Sequence, residues 1–465
     1  MSIIDLIKET KNYNEFIKKI ESTNIKIKDK LNSDLVLLYT DFMTNSYELE
    51  IEESCRNIII DKNSLGIVAY GQPKIKYNDY CTVSELQLSE APKVITESIE
   101  GTLLMLYYYK DEWCVSTRKT INANESFWKS TKSHCDLFKE SINDWDKFLE
   151  LHDSNRIYLY VLVHHENKNL IDYTNRFGNE YKKIFFVLSR DKTDFTVQFV
   201  YNLVNQEFDY NEHKFKENTI LDFINLPIKY EDYSILDEQN INEENMDNIE
   251  SIENEGILVS SIYNGQELHI KLQTQNYKVY QETCSPKYNV KSSLQYIYLY
   301  QTNNLDIYLA KFEDEMFYKG NDGQMYQVKG LVDCLFKVLT SEILFMFKLL
   351  WDIRYGTQKD EYKDFYYKLS SEYKKIFYHL RGIYFTKKAT EDLSKKYVTM
   401  KTVYELLKEI EPELFLQIIL DRQTLLDNCE PNIKEIFEEF YKSEYIIKPL
   451  RAINVSIEFI VNKNI

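Results

Sequence analysis

Apolar residues recur along this chain in two rhythms, and the change from one to the other divides it. At the start, Ile3, Ile4, Leu6 and Ile7, then Phe16, Ile17 and Ile20, follow the three-to-four-residue spacing of an amphipathic helix. The run DLVLLYT at 34–40 reads as a buried strand. From about 51 to 200 the chain supplies short apolar or alternating pieces: RNIIID, GIVAYG, TLLMLYYY, WCVSTRKTI, IYLYVLVHH, KIFFVLSR and TVQFVYNLV. Short strands without long helices between them imply antiparallel or mixed sheets rather than a βαβ series. Strand-like segments resume at GILVSSIY, ELHIKLQT and YKVYQ. After about 330 the period lengthens to that of long amphipathic helices: LVDCLFKVLTSEILFMFKLLWDI, EYKDFYYKLSSEYKKIFYHLRGIYF, MKTVYELLKEIEPELFLQIIL and NIKEIFEEFYKSEYII. The pattern predicts an α+β chain, with mixed antiparallel sheets over 1–330 and an all-helical C-terminal domain over 331–465.

Composition sharpens this picture at a few points. A length of 465 residues suits two or three domains, and 44% hydrophobic content with 38 Tyr and 25 Phe is globular. The excess of Lys, Asn, Ile and Tyr suggests an AT-rich coding genome of the kind common in large DNA viruses. Net charge is −17, which argues against a general nucleic-acid coat. However, Glu231–Glu255 holds ten acidic residues and no Lys or Arg, and taking those ten away leaves −7, so a local basic groove remains compatible with the total. The stretch 231–254 reads as an exposed acidic insertion. The start of the chain has no secretory pattern. The most apolar run, Val332 to Trp351, is broken by Asp333, Lys337, Glu342 and Lys348, too many charges for a bilayer. Seven cysteines without a CxxC pair fit reduced thiols, so a cytoplasmic, membrane-free protein is expected.

Five segments carry candidate chemistry. LVLLYT at 35–40 leads into SCRNIIIDKNSLGIVAYGQPKIKYN at 54–78, which contains Arg56. VITESIEGTLLMLYYYKDEWCVSTRKTI follows at 94–121, NRIYLYVLVHHENKNLIDY at 155–173, ENEGILVSS at 253–261 and ELHIKLQTQNYKVYQ at 267–281. In order, spacing and strand context they resemble the motifs of RNA ligases of the covalent nucleotidyltransferase superfamily, most closely the tRNA-repair ligases of T-even phages. The resemblance implies a nucleotidyltransferase fold over 1–330. It sets Arg56 on nucleotide phosphates, Gly101 on the motif I glycine, Glu100 on its aspartate, Glu255 on a divalent metal, and Lys271 on the first lysine of motif V. ATP and Mg²⁺ as cofactors, and nucleotide or RNA ends as partners, are implied with it.

The same superposition exposes three departures. Ser98 stands where the family has its lysine nucleophile, Val161 where it has a ribose-binding glutamate, and Gln273 where it has a second phosphate-facing lysine. In that family the lysine amine attacks the α-phosphate and forms a phosphoramidate, which requires a partly neutral amine. A serine hydroxyl would need a separate base and would form a different ester. Neither Lys93 nor Lys119 lies at the motif offset from Gly101. The resemblance therefore implies a ligase-like protein that binds nucleotide or RNA ends with standard lysyl-adenylate chemistry lost. An active divergent ligase and a non-catalytic interaction protein with a protein partner are the alternatives. His164 and His165 read as ordinary turn histidines.

The helical part balances 21 basic against 21 acidic residues. Its exception is YKKIFYHLRGIYFTKK at 373–388, where Lys374, Lys375, Arg381, Lys387 and Lys388 interleave with aromatics as in single-strand binding surfaces. Phe377, Leu380 and Tyr384 also recur at helical spacing, which favours a core stripe with lysines reaching past it.

Overall fold

The computed structural model describes residues 2–29, 33–40, 50–89, 91–128, 130–167, 169–229, 241–247, 255–284, 292–352, 357–390, 398–428, 430–442 and 444–462. Thirteen strands build its first part. In chain order they are β1 (Ile25–Asp29), β2 (Leu35–Thr40), β3 (Ile58–Asp61), β4 (Ile67–Tyr70), β5 (Lys76–Tyr77) and β6 (Lys93–Ser98). Then come β7 (Thr102–Tyr109), β8 (Glu112–Thr117), β9 (Arg156–His164), β10 (Lys182–Asp191), β11 (Val197–Phe199), β12 (Gly256–Tyr263) and β13 (Gln266–Gln273). They form three sheets, ordered β1-β2-β3-β4, β11-β10-β9-β7-β8 and β5-β13-β12-β6. Every pairing is antiparallel except that of β13 with β5.

Two-residue alternation explains why strands so uniformly apolar still have defined faces. On β9, Ile157 and Leu159 join Leu35, Leu37 and Ile59 in a core between the first two sheets. The intervening Tyr158, Tyr160 and Leu162 face the opposite way, into a second core with Leu137, Phe138 and Phe148 from the helices His134–Glu140 and Trp145–Glu150. On β3, Ile58 and Ile60 pack on the N-terminal helices Ile3–Glu9 and Tyr13–Ile20, and Ile59 faces inward. The third sheet is covered by Val83 and Leu86 of the helix Tyr80–Leu88.

Arg190 ties elements of all three sheets together. Its side chain is fully buried; Nε and Nη2 donate to the Gly71 carbonyl after β4, Nη1 donates to Phe195, and Nη2 meets both oxygens of Glu267 on β13 at 2.8 Å. The guanidinium lies 4.4 Å from the centroid of the Tyr70 ring. A buried arginine is tolerated because its donors and charge are met.

By internal contacts the chain divides at 279/280, into Met1–Val279 and Tyr280–Ile465, and not at 330/331. The reason lies in the helices Ser292–Gln301 and Leu305–Lys311, which the strand-and-helix pattern left with the β-rich part. Gln301 donates to the carbonyls of Leu407 and Ile410, and the Tyr300 hydroxyl to Asp333, so these helices belong to the second unit. The expected strand at YKVYQ is helical, within Gln275–Cys284, where the Thr274 hydroxyl accepts the Tyr277 amide at the helix start.

In the second unit the helix Val328–Leu350 is central. Its buried Glu342 accepts from Nε and Nη2 of Arg422 at 2.6–3.0 Å and from the Tyr441 hydroxyl. The charges in this apolar run are thus partly an internal ion pair. No helix among the described residues is long and apolar enough to cross a membrane. Two of the expected long helices are interrupted. Leu369 is extended between Lys363–Lys368 and Ser371–Thr390, and Ile410 is extended after Met400–Glu409; the next residue, Glu411, is kept from helix by the ring of Pro412, which opens Pro412–Asn428. The unit is not entirely helical, because Phe317–Lys319 pairs with Met325–Gln327 and Trp351–Asp352 with Thr357–Gln358. Most of the acidic insertion at 231–254 lies outside the described residues. Its described part, 241–247, includes the helix Glu243–Asp247 and buries Ile241 and Met246 against the third sheet, so it is not wholly exposed.

Candidate functional site

Register brings the site together. Gly256 at the start of β12 pairs with Ser98 at the end of β6 on one side and with Gln273 at the end of β13 on the other. Glu255, one residue earlier, therefore emerges at the level of both strand ends. Lys271 and Gln273, two residues apart, share a face of β13. The Ser98 hydroxyl donates to Glu255 Oε2 at 2.8 Å, Lys271 Nζ donates to the same oxygen at 2.7 Å, and Gln273 Nε2 reaches Oε1 at 3.3 Å. Asn78 fixes Gln273 in turn by accepting its backbone amide at 2.9 Å. Glu255 and Ser98 are 4% and 1% exposed, so this is an internal network. Burial opposes the charge on Lys271, but the Glu255 carboxylate, followed by Tyr77, holds its pKa above the ordinary lysine value.

Glu100 is held differently. Its Oε1 accepts the Leu170 amide at 2.8 Å and its Oε2 the Ile171 amide at 2.6 Å, while Tyr173 Oη accepts the Glu100 amide and donates to its carbonyl. Burial raises the carboxyl to about 7, against the lowering by the two amides; Glu255 raises it and Lys271 lowers it. Beside it, a Cβ on Gly101 would stand 2.5 Å from the Leu162 carbonyl and 2.7 Å from Val161 Cγ1. The glycine is required there by the close approach of β9.

Arg56 enters from the segment ahead of β3, half-buried. Burial lowers its pKa, Tyr77 offsets part of that, Arg118 adds to it, and Glu255 opposes it. Its Nη1 is buried and has no hydrogen-bond partner among the described residues. Arg56, Ser98, Glu100, Glu255 and Lys271 thus converge within one electrostatic neighbourhood. Sequence reading missed Tyr77, Asn78, Arg118 and Tyr173. All four lie inside the quoted motif segments, but as common residue types they carried no spacing signal.

The donor set does not fit a divalent cation as arranged. Both Glu255 oxygens face donors, one of them an ammonium, and both Glu100 oxygens accept backbone amides on a carboxyl pushed towards neutrality. Val161 offers nothing. A Mg²⁺ ion at Glu255 requires displacement of Lys271 and Ser98. The cationic side fits an anion better, since the orphaned Arg56 nitrogen lacks an acceptor.

Elsewhere, His164, His165 and Glu166 form a close group with the ligand atoms metals use. Glu166 is already held by Lys132 at 2.7 Å and Ser130 at 2.6 Å, and His164 Nδ1 accepts the Glu166 amide, which leaves the proton on Nε2. His164 is the buried last residue of β9, and His165 and Glu166 lie in the turn that follows it. In the second unit, Phe377, Leu380 and Tyr384 are buried as the core stripe. Lys374 donates to the Tyr367 carbonyl, Lys375 lies 3.9 Å from Glu372, and Arg381 sits over the Phe385 ring; the side chains of Lys387 and Lys388 lie outside the described residues.

The fold and site thus describe an α+β protein with antiparallel sheets, a buried polar network at converging strand ends, and a helical second unit. No protein-family profile matches the chain. Over 102 residues it is 30% identical to an immediate-early protein ICP-46 homolog of Invertebrate iridescent virus 3, a match spanning 20% of this chain and 21% of that protein. A relative is thus viral, in keeping with the composition. Among solved structures it is similar to a candidate ATP-dependent DNA ligase from Aquifex aeolicus, at 17% identity and a TM-score of 0.37 over 65% of this chain and 72% of the other. An archaeal ATP-dependent RNA ligase gives 10% identity and a TM-score of 0.37 over 67% and 72%. Likeness at this level leaves the chemistry of the site to its own residues.

Proposed function

We propose that this chain is an RNA ligase-like nucleotidyltransferase-fold protein that holds a nucleotide or RNA end at Arg56 and Lys271 without forming a lysyl adenylate. The observation that carries the reading is the bond from the Ser98 hydroxyl to Glu255. The position the motif assigns to the nucleophile holds no amine, and its one polar group is spent on a neighbour. The unpartnered Arg56 nitrogen supports the binding half of the proposal, because a phosphate oxygen would satisfy it. Incubation with α-labelled ATP or GTP and Mg²⁺ tests the catalytic half: no label should survive denaturation, and a stable label overturns it. Calorimetric titration with ATP and with single-stranded RNA tests the other half. If neither binds, a protein-interaction role takes its place.

One observation favours an active divergent ligase. Lys271 and Ser98 donate to the same Glu255 oxygen, so an amine does lie beside the motif I position, delivered from β13. Against it, the ion pair keeps that amine protonated, and a nucleophile must be neutral. Lys93 is five residues from Ser98 along β6, about 16 Å away. Mass spectrometry finding a nucleotidylated lysine at 271, 93 or 119 would establish this reading. The basic residues Lys374, Lys375, Arg381, Lys387 and Lys388 of the helix Ser371–Thr390, where Tyr378 and Phe385 are exposed, are proposed as an accessory contact for RNA. Arg381→Glu should weaken RNA binding and leave ATP binding unchanged.

A further inference from the structure

The three donors that hold the Glu255 carboxylate are placed by the sheet, not by the carboxylate. Ser98 ends β6, Lys271 and Gln273 share a face of β13, and the pairing of Gly256 with both Ser98 and Gln273 brings them to one level. Asn78 orients Gln273. Its Oδ1 accepts the Gln273 backbone amide at 2.9 Å and its Nδ2 lies 3.4 Å from the side-chain oxygen, which leaves the side-chain Nε2 to reach Glu255. The backbone of Glu255 is pinned as well, since its carbonyl accepts the Thr274 amide at 3.1 Å. Its carboxylate, by contrast, hangs from a side chain with several rotatable bonds. The donors are therefore rigid and the acceptor between them is tethered but movable.

A hydroxyl, an ammonium and a carboxamide N–H converging on one acceptor are the donor types that would hold any oxyanion. Among the described residues the ion pair of Lys271 is with Glu255, and the lysine side chain is 17% exposed against 5% for the carboxylate. Solution thus reaches the ammonium and hardly reaches its partner. An anion arriving at Lys271 meets a charge that is already neutralised. It also sets a second negative charge beside the first in a poorly hydrated place, where like charges repel strongly. We propose that Glu255 is a built-in ligand of its own anion site, a carboxylate that occupies Ser98, Lys271 and Gln273 and gives up these donors when an external oxyanion binds. The inference rests on the reading that a nucleotide or RNA end is held at Lys271, and adds that the site as it stands is closed by the chain itself. A metal ligand, or a residue that only positions Lys271, would aid anion binding. A built-in occupant opposes it, so the sign of the effect separates these roles.

Inorganic tripolyphosphate and sulfate are suitable probes, titrated calorimetrically into the full-length protein without divalent metal. Glu255→Gln should bind each about tenfold or more tightly than the parent does, with circular dichroism unchanged. Adding Lys271→Gln to that variant should reverse the gain. If Glu255→Gln binds no more tightly while the added Lys271→Gln still weakens binding, Glu255 only positions the lysine; the proposal falls and binding at Lys271 stands. If neither protein binds the probes, or the added Lys271→Gln changes nothing, the function proposed for the site falls with it. Should Glu255→Gln not fold, infrared difference spectra of the unmodified protein with and without sulfate decide the matter. A carboxylate band that shifts as its donors leave is expected, and an unshifted band overturns the proposal.

Discussion

Lys271 Nζ lies 2.7 Å from Glu255 Oε2, and neither side chain is more than 17% exposed, so each charge in the site depends on the other. Removing one partner of such a pair strands the other in a poorly hydrated place. Glu255→Gln should therefore cost about 3 kcal/mol in urea unfolding, and Lys271→Met a comparable amount. The double variant Glu255→Leu/Lys271→Met should lose less than the two single losses added together, because no charge is left uncompensated. Strict additivity would show that the pair does not form in solution.

Glu100 makes stability depend on pH. Its carboxyl is raised in the folded protein from the ordinary 4.5 to about 7, first by burial. Between those values the folded state binds more protons than the unfolded one, so this group's contribution to stability falls as pH rises from about 4.5 to 7 and is flat above. Glu100→Gln should flatten that slope. Urea unfolding at intervals from pH 5 to 8 measures it, and an unchanged slope in the variant would place the proton elsewhere.

Arg56 offers a different test, because its Nη1 is buried without an acceptor. Arg56→Ala should weaken binding of ATP, or of inorganic tripolyphosphate, about tenfold or more in calorimetry, and Arg56→Lys should recover only part of it. Added Mg²⁺ should not tighten binding, because the acidic groups of the site already hold donors. Loss of binding on chelation would count against that arrangement.

Arg190→Met should destabilise the first unit by about 3 kcal/mol or more, since it leaves Glu267 and the Gly71 carbonyl without their shared donors. Gly101→Ala should cost about 2 kcal/mol through its clash with the Leu162 carbonyl. Chemical denaturation of each variant, followed by tryptophan fluorescence, reads both effects.

Much of this architecture is legible in the order of residues. Strands such as IYLYVLVHH and GILVSSIY, and the helix over 328–350, are set by local apolar period, and the motif segments locate Arg56, Ser98, Glu255 and Lys271. Helices without a clean period, such as Ser292–Gln301 and Gln275–Cys284, are not legible. Packing against partners far along the chain decided them: Gln301 caps carbonyls more than a hundred residues away.

What the sequence by itself determined is the succession of elements, β-rich then helical, and the absence of a lysine at position 98, because composition and spacing are local properties. Only the tertiary structure decided that Glu255 and Lys271 satisfy each other. Whether Glu255 faces a metal or an ammonium depends on the register of β6, β12 and β13, which brings Ser98 and Lys271, 173 residues apart, onto one carboxylate oxygen. That position 98 holds a serine is visible in the order of residues. The closed ion pair beside it exists only once the strands are aligned.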